Sequence, residues 1–378
     1  MFDIFLCISM AFSITYLSIP VIIFVAKSKK LYDVPDARKI HDAPIPSLGG
    51  LGIFAGFVMA SLTIISIAQA AEFQYFFAAF FVIFFLGLKD DILDISPIKK
   101  FIGQVLAAFL IIYKGNIQIQ SMHGFLGIDQ LPPMFSILFT YLTIIVIVNS
   151  FNLIDGVDGL AAGLALMAVT IFGVYFYEVN MQPYAILSFA TAGSLIAFLI
   201  FNFQPAKIFM GDTGSLLIGL VNAILVVKFI NVANTPDVSY PIESAPAIGF
   251  TVLMIPLLDT LRVFGIRIFH RRSPFSPDRN HIHHLLLDKG FSHKAITFIL
   301  LTINLLVVGL SYLGRQLGCT ILIFSVLVCF FSIIAAFYYM RPKTRLVVAK
   351  TGIQESGSEL KASKLVPFGK DAVLKQKN

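Results

Sequence analysis

The chain has 378 residues, 57% of them hydrophobic and only 13% charged, with a mean hydropathy of +0.87. A soluble domain carries about 45–50% apolar and about 25% charged residues, so composition excludes a cytosolic enzyme, a secreted disulfide scaffold and a disordered chain. The three cysteines, Cys7, Cys319 and Cys329, all lie in apolar runs and make no disulfide framework. The net charge of +7 is read through its placement, which outweighs its sum in a membrane protein, and no nucleic-acid partner is expected.

A membrane-spanning helix takes about 20 mostly apolar residues. Eleven such stretches lie at 2–26, 48–70, 73–88, 101–113, 134–151, 159–177, 183–201, 213–231, 246–266, 295–313 and 317–340. The first has no positive leader and no small-residue cleavage site, which predicts an anchor that stays on the chain. The third and fourth are short, as helices that stop against a polar cavity would be. Residues 114–133 alternate polar and apolar and end in Pro132-Pro133, which predicts a small extracytoplasmic hairpin. The expected fold is an all-α polytopic membrane protein of about eleven helices, with one catalytic domain over 1–340. Residues 341–378 are polar and basic without an apolar face, as in a flexible cytoplasmic tail.

Only three of the 28 Lys and Arg residues, Lys114, Lys228 and Arg315, fall on the side of the N-terminus; the other 25 fall opposite. Without the nine in the tail the split is still 16 against three. The positive-inside bias puts the N-terminus outside and the tail in the cytoplasm. Seven aspartates, Asp90, Asp91, Asp94, Asp155, Asp158, Asp212 and Asp259, then gather on the cytoplasmic side at helix ends. Carboxylates at that depth face a cavity, a partner or an ion.

Five segments carry the chemistry. Asp36-Ala37-Arg38-Lys39-Ile40-His41, followed by Gly49-Gly50, reads alone as a basic loop against anionic lipid. In Lys89-Asp90-Asp91-Ile92-Leu93-Asp94, helical spacing puts at least two carboxylates on one face, either at a metal or as a solvated end paired with Lys99 and Lys100. Asn149 to Gly159 places Asn149, Asn152, Asp155 and Asp158 among glycines inside an apolar run. Such hard oxygen ligands on close-approaching backbone suit Mg²⁺ better than a plain turn does. Asn202 to Ser215 puts Asp212 and Thr213 at a helix start, where backbone N–H groups meet anions, with Phe209 free to stack on a base or to pack. The longest cytoplasmic loop holds four of the seven histidines, among them His281, His283 and His284, behind Arg279. No cysteine is near enough to complete a zinc site, so these groups suit phosphate oxygens. Together the segments describe a Mg²⁺–diphosphate site at the membrane surface, beside an apolar wall for a second, greasy substrate.

Taken in order and spacing, Arg38-Lys39-Ile40-His41 with Gly49-Gly50, Asp90-Asp91, Asn152-Leu153-Ile154-Asp155-Gly156-Val157-Asp158-Gly159, Phe209-Met210-Gly211-Asp212-Thr213-Gly214-Ser215 and Ser273 to His284 resemble the polyprenyl-phosphate N-acetylhexosamine-1-phosphate transferases. The histidine segment is most similar to bacterial undecaprenyl-phosphate N-acetylglucosamine-1-phosphate transferases. Ile282 interrupts the run of histidines that muramoyl-pentapeptide translocases usually carry there.

The resemblance implies transfer of N-acetylglucosamine-1-phosphate from UDP-N-acetylglucosamine to undecaprenyl phosphate, with release of UMP, in the bacterial inner membrane with the active site on its cytoplasmic face. It implies Mg²⁺, or Mn²⁺ in its place, with Asp212 and Asn152 as ligands. It assigns Asp90 and Asp91 to catalysis, Asp155 and Asp158 to the nucleotide, Asn202 and Phe209 to uracil, and His281, His283 and His284 to phosphate and sugar. Lys39 and Arg279 gather the two polyanions. The partners implied are the two substrates and membrane lipids; a homodimer stays open. The lipid phosphate has a second pKa of about 6 and is largely dianionic at neutral pH, so a carboxylate base is not obligatory. A secondary transporter would also show interrupted helices, but with its site at the bilayer midplane, and a scaffold for polysaccharide assembly would not need the acid–amide–glycine clusters.

Overall fold

The computed structural model describes residues 1–31, 45–233, 235, 238–271 and 280–339; Lys39, Arg279 and the tail at 341–378 lie outside the described residues. Four helices, α1 (Phe2–Ser28), α2 (Gly49–Ile64), α3 (Phe73–Leu93) and α4 (Pro97–Phe109), open the chain, and α4 runs on into a π-helical turn over Leu110–Lys114. An antiparallel hairpin follows where one is expected, β1 (Ser121–Phe125) with β2 (Ile128–Gln130), pairing Ser121 with Gln130 and Phe125 with Ile128. The remaining helices are α5 (Pro133–Ile154), α6 (Leu160–Glu178), α7 (Gln182–Asn202), α8 (Gly211–Val232), α9 (Ala245–Val252), α10 (Met254–Phe269), α11 (Ile282–Asp288), α12 (His293–Leu313) and α13 (Cys319–Tyr339).

Every one of the eleven apolar stretches contains helix. Among the described residues, seven helices are long and apolar enough to cross a membrane, or eight if the bent pair α9–α10 is one span, against the eleven expected. The difference has local causes. α2 has 16 residues and α4 has 13, both short of the roughly 20 that a bilayer asks for. α3 spends its last turns on Lys89, Asp90 and Asp91.

α8 is the axis of the molecule: 83% of its apolar window is buried, against 17% for α1 and for α13. It packs on α2, α3, α5 and α6, so it is apolar on every side, as a fully enclosed helix should be. Its N-terminus is a crowded crossing point made by small residues. A Cβ on Gly50 would lie 2.2 Å from the Gly214 nitrogen, and one on Gly87 would lie 2.5 Å from the Thr213 Cα. Backbones therefore approach closely there, the device by which membrane helices pack without a hydrophobic drive. Gly211 turns the chain into α8 at φ +70°, a conformation open to glycine.

The span at 246–266 is broken. α9 and α10 meet at 80°, with Pro256 in the first turn of α10, where its missing N–H costs nothing. A break inside an apolar layer leaves backbone groups to be satisfied. Asn304 of α12 satisfies them from both sides: its Oδ1 accepts from Ile255 N–H at 3.3 Å and its Nδ2 donates to the Val252 carbonyl at 3.0 Å.

Candidate active site

The turn between α3 and α4 is shaped by one carboxylate. Asp94 leaves α3 at φ +41°, and Asp90 Oδ1 accepts from the Ile95 N–H at 2.7 Å. Pro97 then starts α4 with its φ already set for a helix. One turn on, Lys100 returns its ammonium to Asp90 Oδ2 at 3.0 Å. The same nitrogen is in direct contact with Asp212 Oδ2 and lies 3.4 Å from Asn152 Oδ1.

Asn152 sits in the last turn of α5 and locks onto the start of α8. Its Nδ2 donates to Asp212 Oδ1 at 2.7 Å and to Ser215 Oγ at 2.9 Å, while Ser215 donates to the Gly211 carbonyl at 2.9 Å. Three helices that are distant in sequence thus deliver Asp90, Asn152 and Asp212 around one ammonium. Asp155, at the end of α5, completes the acidic side. Desolvation, then the carboxylates of Asp212, Asp91 and Asp158, push its carboxyl up to about 8, and a nearby cation would relieve that.

The histidine loop is held by Asp259, a fully buried carboxylate on α10. Its Oδ2 accepts from His281 Nδ1 at 2.9 Å, and its Oδ1 accepts from the Ile282 N–H at 3.0 Å and from Arg262 Nη2 at 2.8 Å. Arg262 also donates to the Asn280 carbonyl. The clamp fixes the start of α11, so His281 and His283 stack with ring centroids 5.7 Å apart and planes 6° from parallel. His283 is 2% exposed, and burial, with the charge of His284, pushes it down to about 3. That shift favours the neutral imidazole; its Nδ1 has no hydrogen-bond partner among the described residues.

Between these groups lies a cavity of about 420 Å³ lined by Asp90, Lys100, Asn152, Asp155, His281, His283 and His284, together with Arg267, Gln104, Asn149 and the rings of Phe101 and Phe264. Gln104 and Asn149 bond reciprocally at 3.2 and 2.8 Å. Asp212 does not line the cavity itself but contacts Lys100 and Asn152, which do. Lys39 and Arg279 lie outside the described residues.

Besides Asp212, four expected site residues do not reach this cavity, because their polar atoms hold the scaffold. Asp91, expected in catalysis, accepts from the Asp212 and Thr213 N–H groups at 2.7 and 3.0 Å and from the Thr213 hydroxyl at 2.5 Å. Asp158 pairs with His293 at 3.1 Å and accepts from the Ala206 N–H at 3.1 Å. Asn202, expected at uracil, accepts from the Gly159 N–H at 2.9 Å and donates to the Ile208 carbonyl at 2.9 Å. The Phe209 backbone bridges to Pro46 and Gly49 at 2.7 and 2.9 Å. Conversely, sequence reasoning left Lys100 as a surface counter-ion, gave Asp259 no role and overlooked Arg267 and Gln104. The signal for Asp259 was an acid inside an apolar stretch, three residues before Arg262.

Among the described residues no group of three or more His, Cys, Asp or Glu side chains is arranged to hold a metal ion. Mg²⁺ usually takes one or two carboxylates and fills its octahedron with water and substrate phosphates. Asp212, 28% exposed at its side chain, and the amide oxygen of Asn152 are the residues that could hold it.

Residues 73–230 match the glycosyl transferase family 4 model. The chain is 34% identical over 311 residues to the decaprenyl-phosphate N-acetylglucosaminephosphotransferase of Mycobacterium leprae, covering 76% of this chain and 77% of that one. It is 31% identical to a probable undecaprenyl-phosphate N-acetylglucosaminyl 1-phosphate transferase of Bacillus subtilis, covering 87% and 91%. It is 30% identical to the undecaprenyl-phosphate alpha-N-acetylglucosaminyl 1-phosphate transferase of Escherichia coli K12, covering 74% and 75%. With this coverage, and with the motif residues Asp90, Asn152, Asp155 and His281 gathered at one cavity and Asp212 bonded to Asn152, the chain belongs to the polyprenyl-phosphate N-acetylglucosamine-1-phosphate transferase family.

Proposed function

We propose that the protein transfers N-acetylglucosamine-1-phosphate from UDP-N-acetylglucosamine to undecaprenyl phosphate, giving undecaprenyl-diphospho-N-acetylglucosamine and UMP. An oxygen of the lipid phosphate forms the new bond to the β-phosphorus, and the bond from that phosphorus to the UMP oxygen breaks. The reaction is the first membrane step of a cell-surface polysaccharide of the O-antigen or common-antigen type, carried out at the cytoplasmic face of the inner membrane.

The observation that carries this reading is the cavity itself, lined by Asp90, Lys100, Asn152 and Asp155 together with His281, His284 and Arg267. Bringing two polyanions together is chiefly an electrostatic task. Lys100 and Arg267 supply cationic donors to phosphate oxygens, and neutral His283 supplies a hydrogen bond without charge. Asp90 orients Lys100 and does not need to take a proton from a phosphate that is already dianionic. Asp212 and Asn152 would hold Mg²⁺, or Mn²⁺ in its place, and the metal would neutralise charge on the diphosphate and polarise the phosphoryl group. Phe101 and Phe264 give the cavity an apolar flank, suited to the start of a polyprenyl chain.

Purified protein in detergent with Mg²⁺, undecaprenyl phosphate and UDP-N-acetylglucosamine should release UMP and form the lipid-linked sugar. Preferential use of UDP-muramoyl-pentapeptide or of a UDP-6-deoxy-N-acetylhexosamine in competition would overturn the donor assignment. Absence of UMP with every donor would overturn the reaction.

A further inference from the structure

Lys100 occupies the oxygens that the metal would use. Its Nζ lies 3.0 Å from Asp90 Oδ2 and 3.4 Å from Asn152 Oδ1 and touches Asp212 Oδ2. The other oxygen of Asp212 already accepts from the Asn152 amide at 2.7 Å. Both proposed ligands therefore turn an oxygen to the same ammonium. A divalent cation on Asp212 and Asn152 would stand within a few ångströms of that ammonium, close enough for the two like charges to repel.

We propose that Lys100 and the divalent cation compete for the oxygens of Asp212 and Asn152, and that the donor's diphosphate draws the lysine away, so that metal and nucleotide bind cooperatively. The proposal rests on the metal reading of Asp212 and Asn152 given above. Three features support it. Lys100 also lines the cavity, so its flexible four-carbon stem can carry the ammonium from carboxylate to phosphate without moving α4. Asp90 is fixed by the Ile95 N–H at 2.7 Å and tethers the lysine nearby after it leaves Asp212. The phosphate oxygens supply negative charge in exchange for the charge that the lysine gives up. A ligand that removes a competitor of another ligand raises its affinity, and the coupling is reciprocal.

The test uses Mn²⁺ as probe, counted by the electron paramagnetic resonance of the free ion, in detergent-solubilised full chain without lipid phosphate so that no turnover occurs. Each titration is corrected against a protein-free mixture of the same composition. In the unaltered protein UDP-N-acetylglucosamine should tighten Mn²⁺ binding about tenfold, within the usual range of site-to-site coupling. In Lys100→Gln, Mn²⁺ alone should bind about tenfold more tightly than in the unaltered protein, and the nucleotide should add little. Lys100→Arg, which keeps a cation, should stay weak without nucleotide. Equal Mn²⁺ affinity with and without nucleotide in the unaltered protein would overturn the competition without needing any variant. So would Lys100→Gln binding Mn²⁺ no better than the unaltered protein. If no protein binds Mn²⁺ even with nucleotide present, the metal reading fails, and the competition with it.

Discussion

Asp91 caps the first turn of α8, which carries Asp212: its Oδ1 accepts from the Asp212 N–H at 2.7 Å, and its Oδ2 accepts from both the N–H and the hydroxyl of Thr213. The adjacent Asp90 instead faces the cavity and Lys100. Neighbouring acids on one helix therefore do different work, one holding the end of α8 and the other orienting a cation.

The division is testable. A lost helix N-cap costs about 0.5–2 kcal/mol, and Asp91 also serves a side-chain hydroxyl. Asp91→Ala should lower stability by about 2 kcal/mol, read as a fall in the thermal unfolding midpoint in detergent. Asp91→Asn, which keeps one acceptor oxygen, should fall in between. Unchanged midpoints with turnover abolished would return Asp91 to the chemistry.

Asp259 acts on the cavity through His281. Loss of a hydrogen bond to a charged group is worth about 1.5–3 kcal/mol, so Asp259→Asn should reduce kcat/KM about tenfold or more. His281→Ala should do the same. If the carboxylate works by positioning the imidazole, the two effects will not add, and the double variant should be no worse than His281→Ala. Additive losses would mean that Asp259 serves the fold alone.

Much of this was legible in the sequence, and the limits have physical reasons. Hydropathy located helix in every apolar stretch because satisfied backbone is obligatory in lipid. The motifs named Asp212, Asn152 and Asp90 because acids and amides stand out in apolar surroundings. They did not separate Asp90 from Asp91, or Asp155 from Asp158, since each pair shares composition and differs only in direction. Asp158 is taken by His293 of α12, a partner 135 residues away that no local pattern marks. Lys100 looked like one of two ordinary basic residues until the turn at Asp94 swung it across to Asp212. The break at Leu253 was invisible because both halves are apolar, and only Asn304 in a later helix accounts for it.

Orientation rests on the 25-to-three split of basic residues and is checked by thiol labelling. With the three native cysteines replaced, Leu126→Cys at the hairpin tip, an exposed position, should react with an impermeant reagent in intact cells. Lys207→Cys, exposed in the loop between α7 and α8, should react only after the membrane is opened. The reverse pattern would invert the topology and move the cavity to the wrong compartment for a nucleotide donor.

Asn304 and Asn222 are both fully buried amides in the middle of apolar helices, yet they should behave in opposite ways. Asn222 donates to the Ile218 carbonyl of its own helix at 2.8 Å, and its Oδ1 has no partner among the described residues. Asn304 instead serves the two backbone groups that the α9–α10 break exposes. Each buried polar group left unmet costs about 1–3 kcal/mol. Asn304→Leu orphans two of them and should destabilise the protein by about 2 kcal/mol or more, whereas Asn222→Leu removes one orphan and should be neutral or stabilising. The consequences for activity differ as well. α10 carries Asp259, Arg262 and Arg267, so a change in its angle should disturb the histidine wall of the cavity and raise the KM for the nucleotide donor. Asn222 lies on α8 beyond the turn that carries Asp212 and Ser215 and should leave that KM unchanged. Unfolding midpoints and donor KM for both variants, measured in one detergent, decide the matter. Equal effects at the two positions would show that the break is held by packing, with the Asn304 amide incidental to it.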